Sequence, residues 1–233
     1  MIVGDAVYDD VIVNKPWGHE YLMYRNRDVA LWCLMIRRGE STSLHCHPRK
    51  KTGLIVLSGI ANLRFLNNAS PMPALSNVMI RPGLFHQSVA DMGTDVVLIE
   101  VENPVDKMNL VRLDDAYGRA QTAYEAVSAT RPLDATCLSL PEPVEGVVPQ
   151  WEFHGRLLKV YKRADAVSLT SELLPKDIVI VLDGGLFTAD DEPILTAGDA
   201  VSSSTLIRLS QCFGAPRGIA ALVVTSLVRQ VGT

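Results

Sequence analysis

Three of the five histidines have a spacing that metal chemistry uses: His45-Cys46-His47, then His86 about forty residues on. On an extended strand, residues i and i+2 face the same side. His45 and His47 can therefore offer two imidazoles to one ion without any unusual backbone. His86 follows Pro82-Gly83, a turn pair from which a strand could fold back alongside. Three neutral imidazoles with coordination positions left open suit Zn, Mn, Fe, Ni or Co, and open positions are what catalysis needs. The expected cofactor is one such divalent transition metal, held by His45, His47 and His86. The plainer alternative is a chance His-x-His pair on the surface.

Carboxylates and cations stand near these histidines in the sequence. Glu100 and Glu102 share one face of the apolar strand Val96–Val101 with Val96 and Leu98. Turned inward, Glu100 would have a raised pKa and could move a proton near neutral pH; turned to an edge, both would simply pair with Arg or Lys. Arg49-Lys50-Lys51 adjoins His47 and reads either as a substrate-binding run suited to phosphate or as a solvated loop. Arg112 or Arg119 could also reach a phosphate. His19, after Trp17-Gly18, reads as a catalytic base or as a strand-end histidine bonded to backbone. Cys46, between two ligands, should point away from the ion, and His154 has no partner motif, so both read as structural.

The elements that position these groups are short. Runs at Val29–Ile36, Leu54–Leu57, Ala61–Leu66, Val78–Ile80, Phe85–Ala90 and Val96–Val101 are separated by Gly, Pro, Asn and Asp. That spacing points to an all-β sandwich or barrel rather than to β-α-β units. Asp114–Ala129 is the best candidate for a helix, and Arg131–Pro149, with four prolines, reads as a linker. A second β-rich block runs from Trp151 to Thr225. The expected organisation is a domain over 1–119, a linker with a short helix over 120–150, and a second domain over 151–233. Leu54-Ile-Val-Leu-Ser-Gly59 is similar to Val179-Ile-Val-Leu-Asp-Gly184, and Met79-Ile-Arg-Pro-Gly83 to Leu195-Thr-Ala-Gly198. Two matches in the same order suggest duplication.

The 233 residues allow one large domain or two small ones. With 22 Lys+Arg against 26 Asp+Glu, the net charge of −4 offers no footprint for nucleic acid or an anionic membrane. A small-molecule partner is expected instead. No apolar run approaches a membrane span, and the opening Met1-Ile-Val-Gly-Asp lacks the regions of a signal peptide, which points to the cytoplasm. Four cysteines without a C-x-x-C pair fit reduced thiols.

Gly39-x5-His45-x-His47-x11-Gly59, followed by Pro82-Gly83-x-x-His86, resembles the two motifs of the cupin superfamily. More closely, residues 12–119 resemble the cupin domain of type II phosphomannose isomerases. Lys15-Pro-Trp-Gly-His-Glu20, Ile55-Val-Leu-Ser-Gly59, Leu98-Ile-Glu-Val101 and Leu110-Val-Arg-Leu-Asp-Asp-Ala-Tyr-Gly-Arg119 carry the likeness. The resemblance implies two jelly-roll barrels, His47 and His86 as metal ligands, and a carbohydrate substrate: a sugar, sugar phosphate or nucleotide sugar. It also implies a homodimer. His45 stands where that isomerase family usually has Gln. The family's metal-binding Glu falls on Thr52 and its neighbouring Arg on Lys50, so the site becomes three-histidine and more positive.

Counted back from Gly184, the ligand positions of the second block become Thr170, Glu172 and Asp177, with the His86 counterpart near Val201. A degenerate, metal-free second barrel is expected. The leading functional reading is a metal-dependent isomerase or epimerase in which Glu100 and Lys50 act in catalysis and Arg49, Lys51 and Glu102 bind substrate. The alternatives are a three-histidine Fe(II) dioxygenase and a non-catalytic sugar-binding protein.

Overall fold

The structure, a computed structural model, describes residues 8–119 and 124–227; the opening segment weighed above as a leader begins outside them. The chain divides into two units between Leu140 and Pro141. The first contains β1 (Val11–Lys15), β2 (Gly18–Arg25), β3 (Ala30–Ile36), β4 (Leu44–Cys46), β5 (Lys51–Ser58) and β6 (Ile60–Phe65). It continues with β7 (Ala69–Pro73), β8 (Asn77–Ile80), β9 (His86–Ala90), β10 (Val96–Asn103), β11 (Val111–Asp114) and β12 (Thr130–Pro132). These form two antiparallel sheets, ordered β12-β1-β2-β3-β10-β5-β8 and β11-β4-β9-β6-β7.

Alternation along the strands builds the core shared by the two sheets. Trp32, Leu34 and Ile36 of β3, Leu54 and Val56 of β5, and Val96 and Leu98 of β10 pack with Ala61 and Leu63 of β6 and Met72 of β7. Each strand thus commits one face to the interior. Glu100 and Glu102 continue the inward face of β10, which settles their orientation.

Two sequence expectations are corrected here. Asp114–Ala129 contains no α-helix among its described residues: Asp114 ends β11, and the only helical turn is the 3-10 turn Val127–Ala129, with 120–123 outside the description. The segment 120–150 is not simply a linker, because β12 pairs with β1 in the register Val11↔Pro132 and Val13↔Thr130. A proline that looks like a linker signal is also at home on an edge strand, where its missing N–H costs no ladder bond.

The second unit has β13 (Gln150–Phe153), β14 (Arg156–Arg163), α1 (Ala166–Thr170), β15 (Ile178–Phe187), β16 (Pro193–Thr196), β17 (Ala200–Ser202), α2 (Ser203–Ser210) and β18 (Ile219–Ser226). Its sheet runs β13-β14-β18-β15-β16, with β17 also on β15. No helix among the described residues is long and apolar enough to cross a membrane.

The internal repeat has a structural counterpart, with one shift. Gly59 and Gly184 both have positive φ, 79° and 66°. A Cβ on either would lie 2.4 Å from Asp95 O or 2.2 Å from Gly218 O. Val56 N–H donates to Ser76 O and accepts through its carbonyl from Leu75 N, and Val181 does the same with Asp199 O and Gly198 N. Gly198 (φ 87°) therefore corresponds to Leu75 (φ 66°), not to Gly83. The glycine marked a left-handed turn that the first unit makes with a leucine, so matching glycine to glycine slipped the alignment. On the same correspondence, Thr170 ends α1 where the first unit has β4, and α2 follows β17 where β9 follows β8. Helices replace the two strands that carry His45 and His86. Gly59→Ala and Gly184→Ala should each cost about 2–3 kcal/mol through left-handed strain and carbonyl overlap. Chemical unfolding would show this, and an unchanged midpoint for either would contradict the shared turn.

Candidate metal centre

β4 and β9 meet at a single register pair, His45↔His86, and His47 lies just beyond β4. The three rings come together, with centroids 5.0 Å apart for His45–His47, 4.5 Å for His45–His86 and 5.5 Å for His47–His86. All three are buried. Each Nδ1 lies against a backbone carbonyl: Ser43 O at 2.8 Å from His45, Asn109 O at 2.7 Å from His47, and Leu84 O at 3.0 Å from His86. A carbonyl only accepts, so each Nδ1 must carry the proton and each Nε2 the lone pair. Nε2 of His47 and of His86 are buried with no hydrogen-bond partner among the described residues. One ligand atom from each histidine lies within 4.8 Å of the others. Burial keeps the rings neutral: it depresses His45 well below its usual range, His47 to about 3 and His86 to about 4, with the neighbouring rings or the Lys50 ammonium adding to it. Three fixed tautomers with converging lone pairs, two of them otherwise orphaned, are the donor set a divalent transition metal requires.

Glu100 faces this centre from β10. Its Oε1 is 3.9 Å from His47 Nε2. Burial pushes its carboxyl up to about 7, against the Lys107 ammonium and with the help of the Glu102 and Glu20 carboxylates. Two residues on, Glu102 lies 3.0 Å from Lys50 Nζ and 3.4 Å from Lys107 Nζ. Although burial opposes it, the ammonium groups of Lys107 and Lys50 hold Glu102 down to about 2.

The basic run divides by burial. Lys50 is turned inward with a wholly buried side chain, held by Glu102, and it does not line the cavity beside the histidines. Arg49 points out, 76% exposed, and pairs with Asp106 at 3.2 Å. Lys51 opens β5 on the face opposite Thr52 and is also absent from the cavity wall. The structure therefore gives Arg49 and Lys51 no place against a ligand in this cavity, whereas Glu100 and Glu102 line it. Thr52 is buried and sits in register with Glu102. His19 occupies the opposite face of β2 from Glu20 and is not in the wall. Cys46 pairs with Val111, turned away from the histidines.

Sequence reasoning missed Lys107. It stands on the loop after β10 with its ammonium 2.9 Å from Glu20 and 3.7 Å from the centroid of the Trp32 ring. The same loop supplies the Asn109 carbonyl that fixes His47, and Asn109 Oδ1 accepts from Arg49 N at 2.9 Å. No spacing rule marks a loop lysine as buried.

The buried carboxylates carry a pH consequence. Glu20 is held down to about 2, against the cost of burial, by Lys107 and Lys15. A carboxylate depressed in the folded state contributes stability above its ordinary pKa and loses it as pH falls through the folded value. Glu20 and Glu102 should therefore make the first unit progressively weaker from about pH 4.5 to pH 2. Glu20→Gln should flatten that acid limb in chemical unfolding followed against pH. An unchanged slope would show that Glu20 is not charged in the native state.

No family model and no curated protein matches the chain. Solved structures similar to part of it include an uncharacterized conserved protein with a double-stranded beta-helix domain from Klebsiella pneumoniae, at 17% identity over 36% of this chain and 75% of that one, with a TM-score of 0.35. KdgF from Halomonas sp. is 17% identical over 40% of this chain and 83% of its own, with a TM-score of 0.38. The capsular polysaccharide assembling protein CapF from Staphylococcus aureus is 20% identical over 45% of this chain, with a TM-score of 0.41, and the match spans 34% of CapF.

Proposed function

We propose that the first unit is a metal-dependent isomerase or epimerase acting on a sugar, sugar phosphate or nucleotide sugar. The observation that supports it is the placing of the Glu100 carboxylate 3.9 Å from His47 Nε2 in a buried three-histidine centre. His45, His47 and His86 would hold the ion. When bound, a divalent metal supplies Lewis-acid polarisation of a carbonyl and an adjacent hydroxyl oxygen. Glu100 is then the group that takes a proton from the substrate carbon and returns it at the neighbouring one. Its burial raises the carboxyl to about 7, which suits a group that both takes and returns a proton near neutral pH. Trp17, Leu34 and Leu110 supply apolar wall around it.

The replacement of a carboxylate by Thr52 favours one second reading. A neutral three-histidine set also suits Fe(II), which would make the protein an oxygenase. The test is to load the metal-free protein separately with Zn, Mn, Co, Ni and Fe(II) and incubate it with aldose phosphates and nucleotide sugars in D2O. Deuterium incorporated next to the carbonyl, lost by at least about 10²-fold in Glu100→Gln, is the expected result. Oxygen uptake with Fe(II) alone would transfer the site to the second reading. Neither activity with any metal would leave a binding protein and overturn the first.

A further inference from the structure

The cavity wall carries cations that the proposed reaction does not use. Lys15, Arg112 and Arg119 all line it beside His45 and His47, and Arg112 is the register partner of His45 across β11 and β4. All three converge on one carboxylate. Arg119 Nη1 donates to Glu125 Oε1 at 2.5 Å, Arg112 Nη2 lies 3.7 Å from the same oxygen, and Lys15 Nζ donates to Oε2. Two of the cations already have a partner from the framework. Asp115 takes Arg119 through Nη2 at 2.6 Å and Nε at 3.2 Å, and Glu20 lies 3.5 Å from Lys15 Nζ. Glu125 is an addition to that framework. It belongs to no strand, and its backbone is tied by a bond from the Tyr8 hydroxyl to its carbonyl at 2.7 Å.

We infer that Lys15, Arg112 and Arg119 form an anion subsite of this cavity, for the phosphate or carboxylate group of a small ligand, and that the Glu125 carboxylate is its internal occupant. The cavity is the one assigned to the proposed reaction, so the inference would give that reaction an anionic substrate. It needs neither the metal nor the isomerase reading. Guanidinium forks match the planar, paired oxygens of carboxylate and phosphate. A phosphate with about 1.5–2 negative charges competes well for three cations against a single carboxylate. Glu125 would then tune affinity, since every anionic ligand must displace it.

The experiment uses metal-free full-length protein titrated calorimetrically at low ionic strength with inorganic phosphate and, separately, with acetate. Glu125→Gln should bind phosphate at least about tenfold more tightly than the unmodified chain, because the competing charge is gone. Adding Arg119→Gln to that variant should remove the gain. Acetate binding without phosphate binding would assign the subsite to carboxylates, and the reverse to phosphates. If Glu125→Gln binds neither probe more tightly, Glu125 is only a structural ion-pair partner and the inference falls. Should Glu125→Gln fail to fold, the unmodified chain decides: phosphate should raise its thermal midpoint more than that of Arg119→Gln, which shares any bulk salt effect. Equal shifts in the two would overturn the subsite.

Discussion

His47→Ala should weaken metal binding by roughly 10²–10³-fold, and His45→Ala/His47→Ala should abolish it at micromolar metal. Sites with four ligands bind zinc with about 10–16 kcal/mol, so one ligand carries about 2.5–4 kcal/mol. His47 is a demanding case because its orientation is already set. The Asn109 carbonyl holds Nδ1 at 2.7 Å, and Nε2 is buried with no other partner. Among the described residues that desolvated lone pair has no hydrogen-bond partner, a cost that metal binding would offset. Elemental analysis of protein purified without a histidine tag, beside the double variant and His154→Ala, checks this. About one transition metal per chain in the parent and in His154→Ala, with none in the double variant, is the expected pattern. Equal metal in all three would place the ion elsewhere, and none in any of them after reconstitution would sink the metal centre.

The histidines were legible in the sequence because their placement follows from local rules. A period of two puts His45 and His47 on one side, and the Pro82-Gly83 turn brings β9 back so that His86 pairs with His45. The same period showed that Glu100 and Glu102 share a face, though not which one. That became clear only when Val96 and Leu98 were seen in the core. Arg49, Lys50 and Lys51 show the limit of reading by proximity. All three are near the ligands in the chain, yet only Lys50 has a wholly buried side chain, while Arg49 is exposed. Lys107 and Glu125 were invisible because they stand outside regular strands, where no periodicity predicts direction. In the second unit, the positions counted back from Gly184 fall at and after the end of α1, where Thr170 closes the helix. The replacement of β4 and β9 by α1 and α2 was not legible, because these helices have 5 and 8 residues and give little periodic signal.

Glu102→Leu should destabilise the first unit by about 3–5 kcal/mol, the usual cost of leaving a buried charge without its partner. The charge left behind is Lys50, whose side chain is fully buried and whose ammonium sits 3.0 Å from Glu102. Lys107 suffers less, since Glu20 remains 2.9 Å away. Lys50→Met should cost less than Glu102→Leu for the matching reason: Glu102 keeps Lys107 at 3.4 Å. Combining Lys50→Met with Glu102→Leu removes both the charge and its need for compensation, so the double variant should recover to within about 1–2 kcal/mol of the parent. Denaturant unfolding of the four proteins gives the cycle, and additive losses would show that the two side chains are not a pair. The cycle also separates stability from metal binding. The Lys50 charge depresses both His47 and His86, and the same field opposes a divalent cation at their Nε2 atoms. Lys50→Met should therefore bind metal about tenfold more tightly while being less stable. A variant that loses stability and metal together would make Lys50 a support of the centre, whereas opposite movements would identify it as the charge that holds metal affinity down.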